Sequence, residues 1–339
     1  MKVKKIVLVI CSCVFGIVQA QQLEQFTQYM TNSYLVNPAL GSVEDMVDIK
    51  AGYRNQWTGL QSTSTGSSIA PRTMYLTAHS PIARPHNALH YRGEHKNWHG
   101  AGVSIIDDDT GPTSNFRFLA SYSYNMGIVR PQGSGIYTKG GVRMSTSLAI
   151  GINNYRVNFN DLNYADPNDQ VALSGEQNKM SPDGVLGIMI YNEKFNVGLS
   201  VNHLFGGKLT PSGISSDGIT NDGRLARHAF LHGQIMIPFA YDFSWEPSAL
   251  VKFVSPAPPA VDLNSKWVYL EKYWLGLSYR HLDAISLAIG AIFDKRFEIA
   301  YSYDLTASRI NEYSQGSHEI VIGYRILPGY SASNAEDHW

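Results

Sequence analysis

The sequence predicts an all-β fold, a transmembrane antiparallel β-barrel of the bacterial outer membrane with about 14 strands. Three observations lead to this prediction. From residue 47 onward, the chain repeats short segments in which apolar residues alternate with small or polar residues. After residue 20, no apolar run approaches the roughly 20 residues that a membrane helix needs. The chain also has 20 Tyr, 6 Trp and 30 Gly, whereas charged residues make up only 16%.

The first 20 residues have the features of a secretory signal peptide. A basic start with three lysines precedes an apolar stretch over Ile6–Val18, and Val18-Gln19-Ala20 offers small residues at a cleavage site. The apolar stretch is short for a membrane span. We therefore expect export and a mature chain that begins at Gln21.

Both cysteines, Cys11 and Cys13, lie inside this signal. A lipoprotein with Cys11 as the lipidated residue is the alternative, although the bulky Ile10 precedes it. After cleavage at Ala20, the mature chain would have no disulfide or thiolate metal ligand. Loss of the three signal lysines leaves 24 basic against 28 acidic residues, which does not favour nucleic-acid binding.

The alternation is clearest where one set of positions is apolar and the other is polar or small. In 297–304, Phe297, Ile299, Tyr301 and Tyr303 alternate with Glu298, Ala300, Ser302 and Asp304. This pattern is typical of strands that face lipid on one side and a polar lumen on the other. The fourteen predicted strands are 47–57, 72–80, 98–106, 114–125, 140–152, 184–191, 195–203, 227–240, 241–253, 261–270, 272–281, 284–293, 295–304 and 318–326.

The connections predict the orientation. If the first strand begins and the last strand ends in the periplasm, the tight turns at 192–193, 241–242, 271–272 and 294–295 are periplasmic as well. The long polar connections 58–71, 153–183, 204–226 and 305–317 would face outward, as in transmembrane barrels. The connections 81–97 and 126–139 are longer than this pattern predicts, and a miscount of one strand in the first half would also explain them.

The predicted organisation is a signal peptide at 1–20, a periplasmic N-terminal segment at 21–46, the barrel at 47–326 and a short periplasmic tail at 327–339. Tryptophans near strand ends suggest interfacial girdles. These are Trp57, Trp98, Trp245, Trp267 and Trp274.

Motifs for chemistry are weak. His86, His90, His95 and His99 have helical metal-ligand spacing, but Pro85 and Gly93 interrupt them, so a polar connection is the simpler interpretation. Asp107–Asp109 lacks the spacing of a calcium loop and fits an exposed hairpin turn. Neither a nucleophile elbow nor a phosphate loop is present. We expect no enzyme activity and no cofactor.

Specific strings resemble the PorP/SprF family of type IX secretion proteins over nearly the whole mature chain. They include Gln25–Met30 with Asn37-Pro38-Ala39, Tyr53-Arg54-Asn55-Gln56-Trp57 with Gly59, and several in the C-terminal third. The segment 61–71 departs from the family's compact loop. The positions that carry the resemblance, expected to be structural or partner-binding, are Gln25, Tyr29, Asn37, Pro38, Tyr53, Arg54, Gln56, Trp57, Asp262, Asn264, Tyr279, Arg280, Tyr301, Asp304, His318 and Glu319.

The resemblance implies an outer-membrane barrel of Bacteroidota that acts in type IX secretion and gliding motility. Its partners would be periplasmic ring proteins of the secretion machine or the C-terminal domain of a large secreted adhesin. A passive porin or transporter and an outer-membrane enzyme are the alternatives. From the string around Arg54, we expect that Arg54 pairs with acids in the lumen and that Trp57 anchors the membrane interface.

Overall fold

The computed structural model describes residues 26–61, 68–82, 97–129, 141–159, 176–207, 224–240 and 242–326. Fifteen strands form one antiparallel sheet. β8 and β9 pair with the same neighbour, β10, and are separated only by Met236, so together they make one strand of the wall. The strands are β1 (Val47–Asn55), β2 (Arg72–Ile82), β3 (Trp98–Thr110), β4 (Thr113–Val129), β5 (Val142–Asn158), β6 (Glu176–Tyr191), β7 (Phe195–Asn202), β8 (His228–Ile235), β9 (Ile237–Ala240), β10 (Phe243–Val254), β11 (Ala260–Tyr269), β12 (Tyr273–Arg280), β13 (Ala284–Phe293), β14 (Phe297–Thr306) and β15 (Ser317–Ile326).

The sheet closes into a 14-stranded barrel, as predicted. β1 pairs with β15 over its whole length, from Val47 opposite Ile326 to Asn55 opposite His318. Every neighbour along the chain pairs as well, which leaves no open edge between β15 and β1. Closure matters because lipid cannot satisfy the hydrogen bonds of an open strand edge.

The side chains alternate in the sense expected for a membrane barrel. Large apolar residues are exposed on the outer face, including Leu148, Leu287 and Ile322. Polar and charged residues on the alternate positions are buried inside, including Asp48 and Glu298. Among the described residues, no helix is long and apolar enough to cross a membrane.

The two ends of the barrel differ. We call the end where β1 begins and β15 ends the turn end, and the opposite one the loop end. The turn end carries tight turns whose central residues have positive φ, such as Asp294 (48°) and Lys295 (57°). This left-handed geometry matches the twist of the flanking strands. The loop end carries the connections 56–71, 159–175, 203–227 and 307–316, but also the short ones 111–112, 255–259 and 281–283. The turn end also carries the longer connections 83–97 and 130–141.

β3 to β6 are longer than predicted. β4 and β5 have 17 residues each and β6 has 16, whereas about 9–11 residues cross a membrane. The extra residues of β3, β5 and β6 lie at the loop end, so the predicted outer connection 153–183 narrows to 159–175, whereas β4 gains 126–129 at the turn end. The hairpin turn after Asp107–Asp109 lies at Gly111-Pro112, and the three aspartates belong to β3.

Two of the five tryptophans differ from the predicted girdle. Trp98 and Trp274 are buried, at 0% and 4% exposure, and face the lumen. Trp245 and Trp267 are opposite each other in the β10–β11 register and share the outer face with the exposed Phe243 and Tyr269. Trp57 lies just after β1 with φ 52°. Sequence spacing places a side chain near a strand end but does not decide its face when the strand start is uncertain.

Candidate functional site

The lumen is occupied by the chain's own N-terminal segment, residues 26–46. Two short 3-10 turns, Ser33–Leu35 and Pro38–Ser42, shape this segment, and Asn37 caps the second by accepting a hydrogen bond from Ala39 N at 3.0 Å. For residues 26–46, this corrects the expectation that 21–46 is a periplasmic segment outside the barrel; residues 21–25 lie outside the described residues. The reason is chemical complementarity, because the segment's many polar and aromatic groups match the polar inner wall.

The segment runs through the lumen from the loop end towards the turn end. Thr27 contacts Asp304 and Glu319, which lie two residues from the loop ends of β14 and β15. Further along, the carbonyl of Ser42 accepts a 2.6 Å hydrogen bond from Nε1 of Trp98, the first residue of β3 at the turn end. The segment then continues into β1. The chain therefore enters the lumen at the end opposite to the one where its first strand begins.

A charged cluster at the loop end holds the start of this segment. Arg54 lies 2.8 Å from Asp304 and 3.2 Å from Glu319, and all three side chains are almost fully buried. Thr27 donates through its backbone N–H to Glu319 at 2.8 Å and through its hydroxyl to Asp304 at 2.7 Å. Tyr75 donates to the other Glu319 oxygen at 3.0 Å. The expected pairing of Arg54 with acids in the lumen is thus observed, and the N-terminal segment completes the cluster.

The cluster continues along β10 to β12. Arg280 Nη1 lies 2.9 Å from Asp283 and 3.8 Å from Asp304. Asp262 in turn lies 2.7 Å from Lys252 Nζ. Positive and negative groups therefore alternate through the cluster, which is what allows so many charges to remain buried.

The middle of the segment is fixed by amide and hydroxyl groups. Asn37 Nδ2 lies 3.1 Å from the Ile188 carbonyl oxygen and 3.1 Å from His232 Nε2. Two wall glycines make this approach possible. A Cβ atom at Gly187 would lie 2.2 Å from Asn37 Oδ1, and one at Gly198 would lie 2.6 Å from Asn37 Nδ2.

Two tyrosines of the segment also bind the wall as neutral groups. Tyr34 shares a 2.6 Å hydrogen bond with Ser121 Oγ, and Tyr29 is bonded to Asn264 and, at 3.4 Å, to Ser248. Burial raises the pKa of Tyr34 to about 12 and raises the pKa of Tyr29 as well. Both hydroxyls therefore stay protonated at neutral pH.

Apolar contacts complete the packing. Leu35 and Phe26 join a cluster with Tyr75 and Trp274 of the wall, and Val36 packs with Phe230. Burial of a large apolar side chain contributes about 1.5–3 kcal/mol. The described part of the segment is thus bound along its length rather than lying loosely in the lumen.

The sequence model of a family described as type IX secretion system membrane protein PorP/SprF matches residues 18–324. The chain belongs to this family. The resemblance found in the sequence is therefore confirmed, and the chain is a PorP/SprF membrane protein with a β-barrel. No curated protein matches it.

Solved structures of other barrels are similar to this PorP/SprF chain. A deltaS2 mutant of the TodX monoaromatic hydrocarbon channel is 10% identical, with coverage of 89% of this chain and 95% of that chain and a TM-score of 0.49. The toluene transporter TodX of Pseudomonas putida is 14% identical, with coverage of 88% of this chain and 94% of that chain and a TM-score of 0.43. A triple mutant of the Rhodopseudomonas blastica porin is 9% identical, with coverage of 83% of this chain and 99% of that chain and a TM-score of 0.30. Because all three TM-scores are below 0.5, the fold rests on the strand pairing itself.

The structure brings most of the PorP/SprF motif positions to the lumen, around the N-terminal segment. Tyr29, Asn37 and Pro38 belong to this segment, and Gln56 is buried beside the loop end. On the wall, Arg54, Asp262, Asn264, Arg280, Asp304 and Glu319 are buried inside.

Five motif positions lie elsewhere. Trp57 follows β1 at the loop end, and the other four are on the outer face. Tyr53, Tyr279 and Tyr301 are 39–46% exposed there, and the Tyr301 hydroxyl lies 2.7 Å from His318 Nδ1. Gln25 lies outside the described residues.

Sequence reasoning missed the wall partners of the segment. Trp98, Ser121 and His232 of the wall were not among the predicted positions, and neither were Tyr34 and Ser42 of the segment itself. The alternation in the strands could have shown that such wall positions face the lumen. It does not show which residues of the chain they contact there. Within the described ranges, no three His, Cys, Asp or Glu side chains form a group that could hold a metal ion. His86, His90 and His95 lie outside those ranges, and His99 lies on the outer face against Tyr122.

Proposed function

We propose that this protein is an outer-membrane component of the type IX secretion system. It is needed for secretion, for cell-surface attachment of large adhesins used in gliding motility, or for both. We further propose that residues 1–20 direct its export and are removed, and that the loop end faces the outside of the cell. Membership in the PorP/SprF family supports the secretion role.

One observation favours a protein-docking role over the passive porin, namely that the lumen is filled by residues 26–46. A diffusion porin needs a water-filled channel through the barrel. Here Asn37 alone makes contacts with wall strands β6, β7 and β8, and Thr27 at the start of the segment hydrogen-bonds to the ion-paired Asp304 and Glu319. A barrel with such a filling offers its ends, rather than its lumen, to a partner.

The position of the segment also narrows where the partners bind. Because residues 26–46 lie inside, periplasmic ring proteins would dock on the turn-end connections and on residues 327–339. A C-terminal domain of an adhesin would bind at the loop end, on the connections and on the extended part of β3 to β6.

The test is gentle affinity purification of the tagged protein from outer membranes, with conductance of the purified barrel in planar bilayers. We expect co-purifying proteins and no steady conductance. Periplasmic ring proteins would assign the first docking mode, and a large adhesin would assign the second. A truncation after Ile326 is the matched control, since it should release ring proteins and retain an adhesin. A steady open pore without protein partners would overturn the proposal in favour of the porin.

A further inference from the structure

A cavity of about 30 Å³ lies between the N-terminal segment and the barrel wall near the loop end. Three polar wall residues line it, Arg117 of β4, Asn202 of β7 and Lys252 of β10. Apolar side chains, among them Val36 and Phe230, form the rest of its surface. None of the residues that line it is acidic.

Arg117 is a buried cation with incomplete partners. Its side chain is 3% exposed, and its Nη2 donates to Asn202 Oδ1 at 3.1 Å. The nearest acid is Asp183, whose Oδ2 lies 3.7 Å from Nε, beyond hydrogen-bond distance. Both oxygens of that carboxylate have other partners. Oδ2 lies 3.0 Å from His203 Nδ1, and Oδ1 accepts a hydrogen bond from Gly184 N at 2.8 Å.

Several donors at the cavity are therefore unsatisfied. Among the described residues, Nε and Nη1 of Arg117 and Nδ2 of Asn202 have no hydrogen-bond acceptor. A buried donor without an acceptor destabilises the folded state, because it has given up its hydrogen bonds to water. Lys252 adds a second positive charge at the same cavity, although its Nζ is paired with Asp262 at 2.7 Å.

A partner that fits must accept hydrogen bonds from these donors, and a negative charge on it would compensate the guanidinium more closely than the 3.7 Å pair with Asp183 does. A carboxylate meets both conditions, and its planar oxygens match the planar fork of a guanidinium. The size also fits. A water molecule needs about 10–15 Å³ of such space, so the cavity holds two to three small groups. The apolar wall would contact the hydrocarbon part of the ligand.

We propose that this cavity is a binding site for a carboxylate, held by the guanidinium of Arg117 and the side-chain amide of Asn202. The carboxylate belongs either to a small free acid or to the C-terminus of a peptide. The site does not depend on the proposed role in secretion.

The test uses the full mature chain folded in detergent micelles, and the midpoint of unfolding in urea. Sodium formate and sodium acetate are compared with sodium chloride at equal ionic strength. A ligand that binds only the folded state raises the midpoint as its concentration rises. We expect this rise in the unmodified protein and not in Arg117→Met. Arg156→Met is the matched control, because Arg156 is 51% exposed and pairs with the exposed Glu176; it should keep the rise.

A second variant, Asn202→Asp, tests the carboxylate site even if Arg117→Met does not fold. It places a carboxylate of the chain itself beside Arg117, so its midpoint should be higher without added acid and should not respond to formate. A short peptide with a free C-terminus, compared with the same peptide as an amide, distinguishes the two sources. The proposal is overturned if formate and acetate act no differently from chloride, or if Arg117→Met or Asn202→Asp responds to them like the unmodified protein.

Discussion

Replacement of Arg54 by alanine tests whether the loop-end cluster holds the barrel and its N-terminal segment together. Arg54 binds Asp304 and Glu319 at 2.8 and 3.2 Å, and it also donates to the Thr27 hydroxyl. Without it, two almost fully buried carboxylates lose their main cation. Of the other cations in the described part of the chain, Arg280 lies 3.8 Å from Asp304 and is already bound to Asp283.

The magnitude follows from this arrangement. Loss of one partner of a buried ion pair costs about 3–5 kcal/mol, because the remaining charge stays desolvated. Arg280 compensates part of the charge on Asp304, so we expect the lower part of this range, about 3 kcal/mol. At 1.4 kcal/mol for each factor of ten, the unfolding equilibrium shifts roughly 100-fold.

The assay is reversible urea unfolding of the barrel in liposomes, followed by tryptophan fluorescence. Arg156→Ala is the control, since its pair with Glu176 is about half exposed and such pairs contribute about 0–1 kcal/mol. Equal, small losses in both variants would refute the structural role of Arg54. If Arg54→Ala folds with normal stability but abolishes secretion, Arg54 instead recognises a partner.

Three further predictions concern the filled lumen, the outer face and the orientation. Gly187→Leu places a side chain where a Cβ already comes within 2.2 Å of Asn37, so it should displace the segment and raise bilayer conductance; Gly233→Ala, with its nearest atoms at 3.7 Å, should not. Unchanged conductance in Gly187→Leu would show that the segment does not close the barrel. Leu287→Arg, at an outer position that is 50% exposed, should destabilise the barrel in liposomes by about 2–4 kcal/mol, and Tyr313→Arg in a connection should not. Equal effects would contradict the assignment of the lipid-facing surface. Tyr313→Cys should react with a membrane-impermeant maleimide on intact cells, because Tyr313 is 70% exposed at the loop end; labelling only after lysis would reverse the proposed orientation.

The sequence by itself determined the wall of the barrel. Alternation of period two is a local property, since successive side chains of a strand point to opposite faces. It therefore located all fourteen strands, the lipid-facing set and the tight turn at Asp294-Lys295. The strand ends were less certain. β3, β5 and β6 continue at the loop end into mostly polar residues, where the alternation that marks a strand is lost.

Only the tertiary structure decided what the lumen contains. Residues 26–46 have no alternation, and nothing local in them distinguishes a free polar segment from one that lies inside a barrel. Their partners are distant in sequence: Thr27 binds Glu319, and Asn37 binds His232. The pairing of Arg54 with lumenal acids was expected from the motif around it, but the choice of Asp304 and Glu319 follows from β1 closing against β15. Closure of the barrel brings its first and last strands together, and this closure, rather than any local pattern, builds the site.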